Sequence, residues 1–174
     1  MIISGGQTGV DRAALDAAMQ HGIPTGGWCP RDRRAEDGTI PARYLLRPTA
    51  SRSYSVRTEW NVRDSDGTLI LLFGPPSSGT RLTIASAQTQ HRPLTTVMLD
   101  TAENPLPAQA TTVAAWISQN KIRVLNIAGP RGSSSDRIYP LAFDFVSLLL
   151  RQLPRDSADA QPPVALPAAA RSAH

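Results

Sequence analysis

The feature that most constrains the fold is the run Thr-Leu-Ile-Leu-Leu-Phe at residues 68–73. A strand with one wet face alternates polar and apolar side chains. A continuous apolar run of this length marks a strand covered on both faces, as in a parallel sheet. The surrounding pattern supplies the cover. Residues 1–4, 94–99 and 123–128 read as further strands. Residues 11–21, 55–64, 81–90, 107–120 and 139–153 read as helices, the first closing at Gly22. Within 107–120, Ala110, Val113, Ala114 and Ile117 recur at i, i+3, i+4 and i+7. Strands alternating with helices of this length imply crossover units. The expected fold is α/β and Rossmann-like, a mostly parallel sheet with helices on both faces. Residues 24–48 read as irregular, with Pro-bounded turns and short strands.

The 174 residues suit one domain, placed at 1–153, with 154–174 expected to be a flexible Pro/Ala-rich tail. One cysteine, Cys29, excludes an internal disulfide and a cysteine-only metal cluster. No apolar run reaches the roughly 20 residues that span a bilayer. The N-terminal residues carry no signal-type core, so the expected location is the cytoplasm, without membrane association.

Charge is the next constraint. The net charge is +4, and Lys121 is the one lysine among eighteen basic residues. Arginine forks match phosphate oxygens two at a time, although a GC-rich genome explains the same bias. Only Arg31, Arg33 and Arg34 cluster, with Asp32, Glu36 and Asp37 beside them as neutralising charges. Few aromatic residues are present for base stacking. Nucleic acid is therefore not expected as a partner.

In a parallel sheet, ligands bind beyond the carboxyl ends of the strands. Three predicted strand ends carry small, polar, glycine-containing loops. The first is Gly5-Gly6-Gln7-Thr8-Gly9-Val10-Asp11. Its glycines permit close backbone approach, and the helix that follows presents free N–H groups. A tight turn capped by Thr8 or Asp11 fits these residues equally well. The second loop runs from Gly74 to Thr80, with Ser78 or Thr80 as helix cap. The third runs from Gly129 to Ser135 and includes Arg131 and Ser133. Turn and capping roles explain each loop singly. Together, at one sheet edge, they point to a site for a phosphate-bearing ligand. Gly5, Gly6, Gln7, Thr8, Gly9, Asp11, Ser78, Gly79, Thr80, Gly129, Arg131 and Ser133 are its candidate binding residues.

Other candidates are more dispersed. Trp28 either covers a ligand ring or belongs to the core. Cys29 is read as a buried apolar residue rather than a reactive thiol. Asn61 and Asp64 lie three apart, share a helix face and are expected to point at the ligand together. Asp11, Glu59, Asp64, Asp66 and Asp136 are the carboxylates near the expected site. Asp32 lies near the spacing of a ribose-binding acid but within loop-like sequence. Scattered histidines offer no catalytic triad, and no metal site is expected. The last helix is apolar almost all round, which predicts burial on two sides, one of them a homo-oligomer interface of a dimer or tetramer.

Several longer motifs stand together: Ile2-Ile3-Ser4-Gly5-Gly6-Gln7-Thr8-Gly9-Val10-Asp11-Arg12, Gly27-Trp28-Cys29-Pro30, Arg34-Ala35-Glu36-Asp37-Gly38, the stretch from Arg57 to Asp66, and Leu125-Asn126-Ile127-Ala128-Gly129-Pro130-Arg131. Through them the chain resembles, over about residues 1–150, the putative molybdenum carrier family. This is a circularly permuted branch of the nucleotide-binding superfamily that includes the LOG proteins and DprA. The resemblance implies a Rossmann-like fold and a nucleotide-like ligand, with molybdenum cofactor (molybdopterin) or a nucleotide as the possible occupant. It implies that Gly5, Gly6, Thr8, Gly9 and the 78–80 loop hold phosphate or oxyanion. LOG relatives cleave nucleoside 5′-monophosphates with a Pro-Gly-Gly-x-Gly-Thr-x-x-Glu motif. Here the glutamate position is Thr83, which cannot act as a carboxylate base. The expectation is thus a carrier or sensor of a small phosphate-bearing ligand. The alternative is a phosphoribohydrolase-like enzyme using Asp64, Glu59 or Asp11 as its acid.

Overall fold

The computed structural model describes residues 1–99 and 105–154. The expected tail lies almost wholly outside the described residues. The chain runs β1 (Ile2–Ile3), α1 (Val10–Gln20), β2 (Thr25–Gly26), β3 (Trp28–Cys29), β4 (Arg34–Ala35), β5 (Gly38–Thr39), β6 (Arg47–Pro48) and α2 (Tyr54–Arg63). It continues β7 (Gly67–Leu72), α3 (Ser78–Thr89), β8 (Leu94–Met98), α4 (Leu106–Gln119), β9 (Leu125–Ala128) and α5 (Ile138–Gln152). The main sheet has five strands in the order β2-β1-β9-β7-β8, and every pairing in it is parallel.

The apolar run takes the inner position it implies. β7 lies between β9 and β8, with Leu69 opposite Ile127 and Thr95. Leu69, Ile70 and Leu71 are all fully buried, as successive side chains pointing to opposite faces require if both faces are covered. Leu69, Leu71, Val97, Leu125 and Ile127 share a core with α1, α4 and α5. On the other side α3 packs against β7 and against α2.

α5 lies against both α1 and α4 of the same chain. Those two contacts cover part of its apolar surface, while Tyr139 stays exposed. Its buried residues Ala142, Phe145, Val146 and Leu149 belong to the intramolecular core.

The irregular region folds into two small sheets. β3 pairs with β6 in parallel, and β4 with β5 as an antiparallel hairpin. Beneath them Leu15, Cys29, Ala35, Ile40, Tyr44 and Leu46 form a second, smaller core. Arg33 donates to four carbonyl oxygens there, those of Ile40, Pro41, Tyr44 and Leu46. It is a structural cross-link of this segment.

Candidate functional site

β1, β9 and β7 are adjacent in the sheet, so the three loops leaving their carboxyl ends are brought side by side. Two of them are stitched together. The Gly132 N–H donates to Thr8 Oγ1 at 3.0 Å, and the Val10 N–H to the Pro130 carbonyl at 3.2 Å. Gly9 makes that approach possible. It has φ +77°, and a Cβ there would stand 2.6 Å from the Pro130 oxygen and the Gly132 nitrogen. Its role is contact between loops. No side chain caps α1, contrary to the Thr8 or Asp11 cap considered from the sequence.

A cleft of about 290 Å³ opens between these loops and α2. Gln7, Asp11, Ser78, Gly79, Gly129 and Arg131 line it. So do residues not expected from the sequence as ligand contacts, among them Tyr54, Arg57, Thr58 and Ser77. Tyr54, Arg57 and Thr58 stand at i, i+3 and i+4 of α2, one helical face. That spacing of an aromatic, a cation and a hydroxyl was the available signal.

Arg57 is the central cation of the cleft. Its Nη1 lies 3.1 Å from Asp11 Oδ2, and its side chain is 14% exposed. Its Nε is buried with no hydrogen-bond partner. Gly5 creates the space, since a Cβ at Gly5 would stand 1.6 Å from Arg57 Nη1. Asp11 is 3% exposed and also accepts from the Gln7 N–H at 3.2 Å. Burial pushes its carboxyl above the ordinary carboxylate value, with Arg57 pulling the other way.

The 74–80 loop ends in α3, which starts three residues earlier than the sequence suggested. Ser77, and neither Ser78 nor Thr80, is its cap: the Thr80 N–H donates to Ser77 Oγ at 3.2 Å. The N–H groups of the first turn, at Ser78 and Gly79, therefore lie at the cleft wall, where helices leave donors without intrahelical partners. Thr80 is buried and is not among the lining residues. Thr83 lines the cleft, one turn into α3, with its hydroxyl donated back to the Gly79 carbonyl at 3.2 Å.

Three candidates stand elsewhere. Asn61 is buried and clasps the backbone of Trp28, accepting from its N–H at 2.8 Å and donating to its carbonyl at 2.9 Å. Asp64 accepts from Trp28 Nε1 at 2.7 Å and from Arg63 at 2.6 Å. The two share a face as expected, that face holds Trp28, and neither residue lines the cleft. Trp28 packs edge-on against Trp60, with ring centroids 4.8 Å apart, and lines neither cleft described here. Glu59 is exposed and Asp66 caps the opposite end of the sheet, accepting from the N–H groups of Arg123 and Val124. Asp32 is exposed, outside both clefts, with φ +64°. Cys29 is fully buried, and burial raises its thiol above the ordinary value.

A second cleft, about 400 Å³ and more open, lies across the Thr8–Gly132 seam. Thr8, Gly9, Arg12, Tyr44, Asp136 and Tyr139 contribute to it. Gly6 lines neither cleft and packs towards Leu46 and Ile40. Ser133 sits at the seam between the clefts, bonded to Glu36. Among the described residues, no group of three or more His, Cys, Asp or Glu side chains gathers as a metal site, and no helix is long and apolar enough to cross a membrane.

Residues 2–150 match the sequence model of the circularly permutated YpsA SLOG family. Among curated proteins none matches. A solved structure described as a "Putative molybdenum carrier protein" from Syntrophus aciditrophicus SB is 45% identical, with a TM-score of 0.82. The similarity covers 86% of this chain and 93% of that one.

Proposed function

Since the chain belongs to the circularly permutated YpsA SLOG family, we propose that it is a binding protein, a carrier or sensor whose ligand is small, phosphate-bearing and nucleotide-like. The observation that carries this reading is Arg57. A guanidinium held over Gly5, with a buried and unpartnered Nε, belongs to a cleft lined by hydroxyl residues and glycines together with Asp11, Leu82 and Ala128. A buried donor without a partner costs free energy that a ligand oxygen would recover. The donor N–H groups at the start of α3 and the Arg131 guanidinium flank the same space. The name of the similar structure, a molybdenum carrier, makes a molybdenum compound such as molybdenum cofactor one cargo to test beside nucleotides.

Thermal unfolding and calorimetry with nucleoside monophosphates, and native mass spectrometry with metal analysis of gently purified protein, test this. A ligand present at 100 times its Kd raises stability by about 2.7 kcal/mol. If no phosphate-bearing ligand raises the Tm at millimolar concentration, the reading fails.

Asp11 favours a second reading, a nucleotide-processing enzyme. Among the described residues it is the one carboxylate lining the cleft, and burial raises its proton affinity. Thr83 stands at the position where LOG relatives carry their acid, so the acid would have to come from α1. Unchanged base release from nucleoside monophosphates by a folded Asp11→Asn protein would exclude it.

A further inference from the structure

One anion cradle among the described residues is already filled by the chain itself. The Glu36 carboxylate, on the β4–β5 hairpin, reaches into the seam between the first and third loops. It accepts from the Ser133 N–H at 3.1 Å, from Ser133 Oγ at 2.6 Å and from Thr8 Oγ1. Arg131 Nη1 lies 3.7 Å from it. Two hydroxyls, a backbone N–H and a guanidinium converging on one point form the donor set of an oxyanion site. These donors are not incidental to the clefts. Arg131 lines one cleft, Thr8 the other, and Glu36 lines neither. The Glu36 side chain is 19% exposed, so solvent reaches it. Burial alone would raise its carboxyl, but the bonds from Ser133 and Thr8 hold it below the ordinary value.

We propose that Thr8, Ser133 and Arg131 form an oxyanion subsite for which the Glu36 carboxylate is the resident competitor, displaced when the ligand's phosphate or a comparable oxyanion binds. This rests on the cleft reading above and adds to it where the charged group lands and what it must remove. The displacement needs only side-chain torsions. The Glu36 N–H is anchored to Gln7 Oε1 at 2.9 Å, and the neighbouring Asp37 to Arg12 Nη2 at 2.8 Å, so the hairpin backbone stays in place. A site that is competent only when its internal anion has left binds with an affinity reduced by the fraction of time it is open. The subsite thus trades affinity for discrimination: a weakly charged ligand cannot expel Glu36, whereas a phosphate dianion can.

Inorganic phosphate is the probe, titrated into the full chain. The protein has three glutamates, Glu36, Glu59 and Glu103, so carboxyl-labelled glutamate gives three carbon resonances, assigned with Glu59→Gln and Glu103→Gln. The expected result is a shift of the Glu36 resonance that saturates with phosphate binding. Glu36→Gln removes the competing charge and is expected to bind phosphate about ten-fold more tightly than the wild type by calorimetry. A Glu36 resonance that stays still at saturating phosphate overturns the displacement whatever the variant does, and leaves the cleft reading standing. Should the wild type bind no phosphate, Glu36→Gln and Glu36→Ala decide. Binding by either supports the competitor role. Absence of binding in the wild type and in every variant that folds overturns the subsite, while the nucleoside monophosphate titrations decide the cleft reading separately.

Discussion

At the scale of single residues, the glycines that looked like places for a ligand's phosphate also make room for the protein. Gly5 admits the Arg57 guanidinium and Gly9 admits the third loop. A sequence shows that backbone must be approached closely; it does not show by what. The same limit governed Asn61 and Asp64, whose shared face was legible from their spacing while its occupant, Trp28, was not. Gly5→Ala follows from this geometry. Its methyl group would meet Arg57 Nη1 at 1.6 Å, and Arg57 cannot simply move away without leaving Asp11 buried and unpaired. Overpacking costs about 1–3 kcal/mol, and a broken buried ion pair about 3–5 kcal/mol. We expect urea unfolding to show a loss of about 2–4 kcal/mol within those ranges, together with loss of phosphate-ligand binding. A variant as stable as the wild type that still binds would remove Arg57 from its central place.

At the scale of elements, the helices and the long strand were readable because each carries its own periodicity. The boundaries moved by a residue or so, except at α3. There the sequence Ser-Ser-Gly-Thr offers several possible caps, and only the backbone decides among them. Ser77 has extended backbone geometry and accepts the Thr80 N–H. Strands β2 to β6 are two residues each, too short to carry a pattern. Their positions come from contacts with Gln7, Asn61 and the second core, which no local window contains. The cap at Ser77 gives a prediction of its own. Ser77→Ala should cost about 1 kcal/mol, the ordinary worth of an N-cap hydroxyl, by chemical denaturation. It should also weaken phosphate-ligand binding, because the frayed first turn carries the Ser78 and Gly79 N–H groups to the cleft wall. Stability loss with unchanged affinity would separate the α3 terminus from the site.

At the scale of the whole molecule, the parallel sheet supplies a rigid body, and three carboxylates are among the groups that fasten the 24–48 segment to it, beside the β1–β2 pairing, Asn61 and the second core. Glu36 holds Thr8 and Ser133, Asp37 pairs with Arg12, and Asp64 holds the Trp28 indole. All three are held below their ordinary values. For Asp37 the Arg12 hydrogen bond is the chief cause. For Glu36 and Asp64 hydrogen bonds outweigh an opposing burial effect. A carboxyl lowered in the fold contributes stability that is fully present above its ordinary value, 4.5 for Glu36 and 3.8 for the aspartates, and is lost as the pH falls through the folded value. Asp11, raised by burial, has the opposite sign: its contribution fades as the pH rises from 3.8 through the folded value, so acid does not weaken it. Acid should therefore release the peripheral segment before the sheet. Hydrogen exchange on acidification from about pH 6 to about pH 3 is expected to show protection lost first in residues 28–39, with β7 and β9 still protected, since local opening draws on the weakest-held unit. Simultaneous loss in both regions would mean that the segment and the sheet form one cooperative unit, and that these three carboxylates do not set where the molecule first opens.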